Sequence, residues 1–136
     1  MDIALRVRLP LLLLRIDVFI VMLMWTLDKF ARPAHSAGVF KKCYQLDLGG
    51  PTVFYALGAL ELVLLALFVS GTAKRFSYGA VLLLHALSTL SSYQQYLQPF
   101  DNLLFFAAWQ MLAACIALYL LRDLDTLWTV QKAPRA

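Results

Sequence analysis

Long apolar runs alternate with short polar segments along this chain. Four runs have the length of helices that cross a membrane, at about residues 10–30, 52–71, 76–96 and 101–122. A helix needs about 20 residues to cross the ~30 Å hydrocarbon layer of a bilayer. The third run is the least apolar, because hydroxyl side chains between residues 88 and 92 dilute it. The pattern predicts an all-α integral membrane protein, a four-transmembrane-helix bundle formed as a single domain over residues 1–136.

The loop after the first span has a helical pattern of its own. Val39, Phe40, Cys43 and Tyr44 recur at helical spacing, with polar residues between them. This pattern is typical of a short amphipathic helix that lies at the membrane interface. We expect Ser36 to cap its amino end, because Ser is a preferred N-cap residue. A second amphipathic segment, residues 123–130, follows the fourth span and is also expected to lie at the interface.

Composition leaves little room for a soluble domain. The chain has 136 residues, of which 62% are hydrophobic, and its mean hydropathy is +0.72. Such values are typical of integral membrane proteins. We therefore expect any large catalytic module to be on another polypeptide.

Basic residues are distributed unevenly between the two sides of the predicted bundle. The amino terminus, the second loop and the carboxyl tail hold Arg6, Arg8, Lys74, Arg75, Arg122, Lys132 and Arg135. The opposite side holds Lys29, Arg32, Lys41 and Lys42. The positive-inside rule predicts that both termini are cytoplasmic, in a bacterial inner membrane. The net charge of +4 is explained by this topology and does not indicate nucleic acid. A cleaved signal peptide is the competing interpretation of the first run, but Asp17 interrupts it and three further runs follow.

Each predicted span contains polar side chains that hydrocarbon does not accommodate. They are Asp17 or Arg15 in the first span, then Glu61, His85 and Gln110 in the other three. A charge at the centre of a bilayer costs at least about 2.5 kcal/mol, so these groups should face the interior of the bundle. They are either hydrogen-bonded groups that fix helix packing, or a polar pocket or proton path. In the second case Glu61, His85 and Asp17 are the candidate catalytic residues, with Glu61 and His85 exchanging a proton.

A second candidate site lies at the predicted periplasmic ends of the first and third spans. Trp25, Asp28, Lys29, Tyr93 and Gln95 are the residues expected there. A quinone headgroup needs an apolar slot with a few hydrogen-bonding groups at one end, and these residue types supply both. The alternative is an aromatic belt at the membrane interface.

Metal and haem sites are not expected. The chain has no close ligand spacing such as Cys-x-x-Cys, and only one histidine, His85, falls within a span. Cys43 and Cys115 fall in a loop and in the last span, so no disulfide is expected between them.

Several short motifs resemble those of a known family. They are Arg15-Ile16-Asp17-Val18-Phe19, then Trp25-Thr26-Leu27-Asp28-Lys29-Phe30 with Pro33, then Gly58-x-x-Glu61 and Gly71. The stretch Asp101-Asn102-Leu103-Leu104-Phe105-Phe106 and the tail Leu121-Arg122-Asp123 are similar too. Together they resemble the DoxX-like family of small four-helix membrane proteins, over most of the chain.

The resemblance implies a link to quinone-dependent redox systems, or to thiol and oxidative-stress complexes, and roles for Arg15, Asp28, Lys29 and Glu61. We therefore expect a small inner-membrane subunit that holds a quinone headgroup or relays protons for a partner oxidoreductase. The chain alone is not expected to be catalytic. A small-solute or ion transporter and a non-catalytic anchor or assembly factor are the alternatives. Membrane lipid and a redox subunit are the expected partners. The sequence leaves open whether the chain also forms a homo-oligomer.

Overall fold

The computed structural model describes residues 2–131, and these contain helices and turns but no strand. The helices are α1 (Ile3–Ala31), α2 (Pro33–Tyr44), α3 (Pro51–Val69), α4 (Lys74–Ser91), α5 (Tyr93–Tyr96) and α6 (Ala107–Leu120). Two short 3₁₀ turns, Pro99–Asp101 and Leu103–Phe106, lead into α6. The predicted all-α class is confirmed. Lys132 and Arg135, used above for orientation, lie outside the described residues.

The long helices α1, α3, α4 and α6 pack side by side. α1 contacts α3 and α6, and α4 contacts the same two helices, so helices that follow one another along the chain are neighbours in space. Their shared core consists of Leu11, Val18, Leu65, Phe68, Tyr78, Val81, Cys115 and Leu118. On α1 the inward positions 11, 15 and 18 are three or four residues apart, which places them on one helix face.

Two segments of this structure have the length and apolar composition needed to cross a membrane. They are Pro51–Val69 and Leu103–Leu120. They correspond to the second and fourth predicted spans.

The first loop contains α2, which contacts α1 and α3. The expected cap at Ser36 is wrong, because α2 begins three residues earlier, at Pro33. Proline is favoured at the first helical position, where its fixed φ suits the helix and its missing N–H would have no partner anyway. Ser36 lies inside the helix, and its hydroxyl donates a hydrogen bond to Asp28 at 3.1 Å.

Residues 121–131, called the tail segment here, turn back onto the bundle. The Val130 amide donates a hydrogen bond to the Ser70 carbonyl at 2.8 Å, and the Gln131 amide to the Gly71 carbonyl at 3.3 Å. Gly71 has φ +63°, and a Cβ atom there would lie 2.6 Å from the Thr129 side chain. The tail segment is therefore packed against the turn between α3 and α4, a contact that its amphipathic pattern did not predict.

Candidate functional site

The Arg15 side chain ends in a buried hydrogen-bond network near the turn between α3 and α4. Its guanidinium donates to Asp125 Oδ2 at 2.8 Å, to the Tyr78 hydroxyl at 3.2 Å and to the Leu127 carbonyl at 2.6 Å. The Tyr78 hydroxyl donates to the same Asp125 oxygen at 2.7 Å. The Arg15 and Asp125 side chains are 1% and 0% exposed. This Arg15 cluster ties α1 and α4 to the tail segment, and its geometry is that of a structural ion pair.

Lys74 adds a second cation to the Arg15 cluster. Its ammonium donates to the Asp125 carbonyl, and its backbone amide donates to the Gln131 side chain at 2.9 Å. Burial lowers the pKa of the Lys74 amine, while the nearby Asp125 carboxylate opposes that shift. Asp125 was not predicted as a site residue. The only sequence clue to it was that Arg15 needs a counter-charge once it is buried.

Glu61 lies near the middle of α3 and pairs with α1. Its Oε2 accepts hydrogen bonds from Lys29 Nζ and from the Thr26 hydroxyl, each at 2.9 Å. The Lys29 and Glu61 side chains are 9% and 20% exposed. One turn before Glu61, Gly58 faces Phe30, whose ring would lie 2.6 Å from a Cβ at that position. The missing side chain of Gly58 lets α1 and α3 come close enough for this Glu61 cluster to form.

His85 does not join the Glu61 cluster. Its Nε2 lies 3.0 Å from the Ala108 carbonyl and 3.2 Å from the Thr89 hydroxyl. A carbonyl can only accept, so Nε2 donates to Ala108 and links α4 to α6. The expected proton exchange between Glu61 and His85 therefore has no direct hydrogen bond in this structure.

Asp17 is exposed on the outer surface of α1, so the expectation that it faces the interior is wrong. Arg15 takes the inward position, and two residues later the helix has turned by about 200°. Asp28, eleven residues further on, returns to nearly the same face as Asp17. At that level α2 packs against α1, which is why Asp28 is buried and Asp17 is not. Gln110 of α6 is exposed as well.

Asp28 is the centre of a third group, the Asp28 cluster. Its Oδ1 accepts from Arg32 at 2.7 Å (Nε) and 2.6 Å (Nη2). Its Oδ2 lies 2.6 Å from His35 Nδ1 and 3.1 Å from the Ser36 hydroxyl. Because a carboxylate only accepts, His35 Nδ1 is the donor. One carboxylate thus holds an arginine and a histidine in fixed positions, and the histidine was missed because a lone loop histidine carries no spacing pattern.

The Asp28 cluster forms the polar end of a cavity of about 330 Å³, called the Trp25 cavity here. Its lining residues are Met24, Trp25, Leu27, Asp28, Ala31, Arg32 and His35. Four of these are apolar or aromatic side chains of α1, and the other three carry charges or hydrogen-bonding groups. The cavity therefore combines an apolar wall with a polar end.

The remaining predicted quinone contacts lie elsewhere. Gln95 is buried and lines a second cavity of about 420 Å³, together with Lys42, Gln94, Leu97, Gln98 and Asn102. Tyr93 is 54% exposed and lines neither cavity. Lys29 points to Glu61. The sequence predicted one slot for Trp25, Asp28, Tyr93 and Gln95, but Trp25 and Asp28 line one cavity and Gln95 lines another. The prediction used only the depth of each residue in the membrane, which does not tell on which side of the bundle the residue lies.

Within residues 2–131, no three His, Cys, Asp or Glu side chains gather as a metal ion requires. Comparison with protein-family models, curated proteins and solved structures gave no match. The resemblance to the DoxX-like family thus stays a prediction from the motifs.

Proposed function

We propose that this chain is a four-span protein of the bacterial inner membrane, with both termini cytoplasmic, that serves a quinone-linked redox complex as an accessory subunit. Its task is to hold a quinone headgroup in the Trp25 cavity and to exchange protons beside it. The partner oxidoreductase supplies the electrons.

The outer surface of the bundle supports the membrane part of this proposal. Large apolar side chains point outward from α3 and α4, with exposed fractions of 69% for Leu60, 63% for Val63 and 60% for both Leu83 and Leu90. Soluble proteins rarely expose apolar patches of this kind over a large area. Lipid would cover these side chains, while the ion pairs of Arg15 and Lys29 stay inside the protein.

The observation that carries the quinone assignment is the make-up of the Trp25 cavity. A quinone ring is flat and apolar, and its carbonyl oxygens accept hydrogen bonds. The Trp25 indole and the Met24 and Leu27 side chains offer an apolar wall, and Arg32 offers N–H donors at one end. The volume of about 330 Å³ falls within the range of small-molecule sites, roughly 300–1,000 Å³.

Within this site Asp28 acts as a positioning residue. It fixes the Arg32 guanidinium through two contacts and holds the Nδ1–H of His35. The other ring nitrogen of His35, Nε2, then remains for a ligand and can accept a hydrogen bond from a hydroquinone hydroxyl. A quinone, when bound, would itself carry two electrons and two protons.

The Glu61 cluster is coupled to this site through the backbone of α1. Lys29 Nζ lies 3.4 Å from the Trp25 carbonyl as well as 2.9 Å from Glu61. The ion pair therefore supports the helical turn that carries both Trp25 and Asp28. We assign Glu61 and Lys29 a positioning role, and a proton relay through Glu61 stays part of the proposal.

Fluorescence of Trp25 tests the proposal. Replacing Trp109 and Trp128 by Phe leaves Trp25 as the sole tryptophan. We expect a ubiquinone analogue to quench this tryptophan in a saturable manner. Asp28→Asn should weaken binding about tenfold, because one hydrogen bond to a charged group contributes about 1.5 kcal/mol. Tyr93→Phe, which is outside the cavity, serves as the matched control.

A further inference from the structure

The second cavity differs in chemistry from the Trp25 cavity and is called the amide cavity here. Three glutamines and one asparagine line it, together with Lys42 and Leu97. It lies between α2 and the short segment that joins α4 to α6. Its volume of about 420 Å³ is within the roughly 300–1,000 Å³ of small-molecule sites.

Gln95 is the central residue of the amide cavity. It is 6% exposed as a residue, and its side-chain amide makes no hydrogen bond to another of residues 2–131, while its polar atoms keep access to solvent through the cavity. Its neighbours differ: Asn102 donates to the Gln98 carbonyl at 3.0 Å, and Gln94 donates to the Tyr93 hydroxyl at 3.3 Å. Gln95 is therefore available to a ligand that brings its own donors and acceptors.

The polar groups of the amide cavity indicate the chemistry of that ligand. Lys42 is an exposed cation on α2 and suits an anion. Carboxamides both donate and accept, so Gln95 and Gln98 suit hydroxyl groups. A phosphodiester that carries free hydroxyls matches both features.

The surroundings of the amide cavity indicate where such a ligand comes from. Leu97 lines the cavity and is 76% exposed, and Phe100 and Leu104, which follow it along the chain, are each 89% exposed. At the same end of the bundle the Tyr96 ring packs against Phe106 and Trp109, with centroids 5.5 and 5.4 Å apart. Aromatic clusters of this kind are typical of the membrane interface, where lipid headgroups lie.

We infer that the amide cavity binds the headgroup of an anionic phospholipid of the phosphatidylglycerol type. Lys42 pairs with the phosphate, Gln95 and Gln98 bind the glycerol hydroxyls, and the acyl chains lie over Leu97 and Phe100. The inference rests on the membrane part of the proposed function and is independent of quinone binding.

Native mass spectrometry of the full chain in mild detergent tests this site. The protein is titrated with short-chain phosphatidylglycerol and, separately, with phosphatidylcholine of the same chain length. We expect tighter binding of phosphatidylglycerol, and about fivefold weaker binding for Lys42→Gln, the fold-change equivalent of about 1 kcal/mol per basic residue near an anionic lipid. Lys41→Gln is the matched control, because Lys41 is the neighbouring exposed lysine and lies outside the cavity. Gln98→Ala, at an exposed position, should also weaken binding.

Three results would overturn the inference. They are equal binding of both lipids, equal weakening by Lys41→Gln and Lys42→Gln, and full competition by glycerol 3-phosphate, which lacks acyl chains. Trp25 quenching by the quinone analogue is measured on the same variants. Lipid binding that fails while quenching persists contradicts the lipid site alone, and the reverse contradicts the quinone site alone.

Discussion

At the scale of single residues, the Glu61 cluster shows how a charge inside an apolar bundle is stabilised. Removing two charges from water is costly, and their attraction offsets this cost only with good geometry and further hydrogen bonds. Lys29 supplies the opposite charge at 2.9 Å, and the Thr26 hydroxyl supplies a second donor at the same distance. The Glu61 carboxylate thus has two partners on α1.

Glu61→Gln should lower the thermal stability of the protein in detergent. Gln keeps the bond from Thr26 but leaves the buried Lys29 ammonium without a counter-charge, which costs about 3 kcal/mol in a buried pair. Adding Lys29→Met should restore part of the loss. Asp17→Asn, a change at an exposed acid of α1, should have almost no effect. An unchanged unfolding midpoint for Glu61→Gln would show that the pair does not stabilise the fold.

The partner of Glu61 could not be predicted from the sequence. Its position near the middle of an apolar helix was enough to predict that it needs one. However, apolar residues occur on every side of α3, since Leu60 is exposed and Leu65 is buried. A helix without an amphipathic pattern does not indicate which side faces inward. The sequence analysis named His85 as the partner of Glu61, whereas the structure places Lys29 there.

At the scale of elements, two short segments close the ends of the bundle. α2 covers Asp28 at one end, and the tail segment covers Arg15 at the other. The tail segment needs Gly71, since its φ of +63° and the contact with Thr129 both disfavour a side chain. Both ends of the bundle are therefore closed by residues outside the four long helices.

Asp125→Asn should release the tail segment. The change removes the counter-charge of a buried arginine, and breaking such a pair costs about 3–5 kcal/mol. Hydrogen–deuterium exchange should then speed up at the Val130 and Gln131 amides, which bond to the turn between α3 and α4. Asp123→Asn is the matched control, because Asp123 is exposed in the same segment. Equal protection of these two amides in both variants would contradict the role given to Asp125.

The sequence was more informative about α2 than about the tail segment. Apolar residues at helical spacing were sufficient to predict a helix in the first loop. In the tail segment the apolar residues predicted only an amphipathic segment at the interface. The burial of Asp125 depends on Arg15, more than a hundred positions away along the chain, and such a contact leaves no local pattern. Ion pairs between residues this far apart in the sequence can be recognised only in the packed structure.

At the scale of the whole molecule, the orientation proposed for the membrane rests on the charges of the two ends. Cys43 in α2 is partly exposed, and Cys115 in α6 is buried. We expect a membrane-impermeant maleimide to label Cys43 in intact spheroplasts, because the positive-inside rule places the first loop in the periplasm. Cys43→Ser should abolish the labelling. Labelling of Cys43 only after lysis would reverse the orientation.

The number and order of the long helices were predictable, whereas their ends were less so. Apolar runs at about 10–30, 52–71, 76–96 and 101–122 correspond to α1, α3, α4 and α6. α1 begins earlier, at Ile3, since Asp2 caps it by accepting from the Ala4 amide at 3.1 Å. α6 begins later, at Ala107, because two 3₁₀ turns precede it. Local capping and turns set these ends, and hydropathy does not report them.

The most direct test of the quinone assignment is the fluorescence titration of the chain that keeps only Trp25. Saturable quenching by a ubiquinone analogue, weakened about tenfold by Asp28→Asn and also by Arg32→Gln, would support the Trp25 cavity as the headgroup site. Arg32→Gln is included because its side chain is 67% exposed, so the change should not disturb folding. Quenching that does not saturate, or that is the same in both variants as in the Tyr93→Phe control, would contradict it.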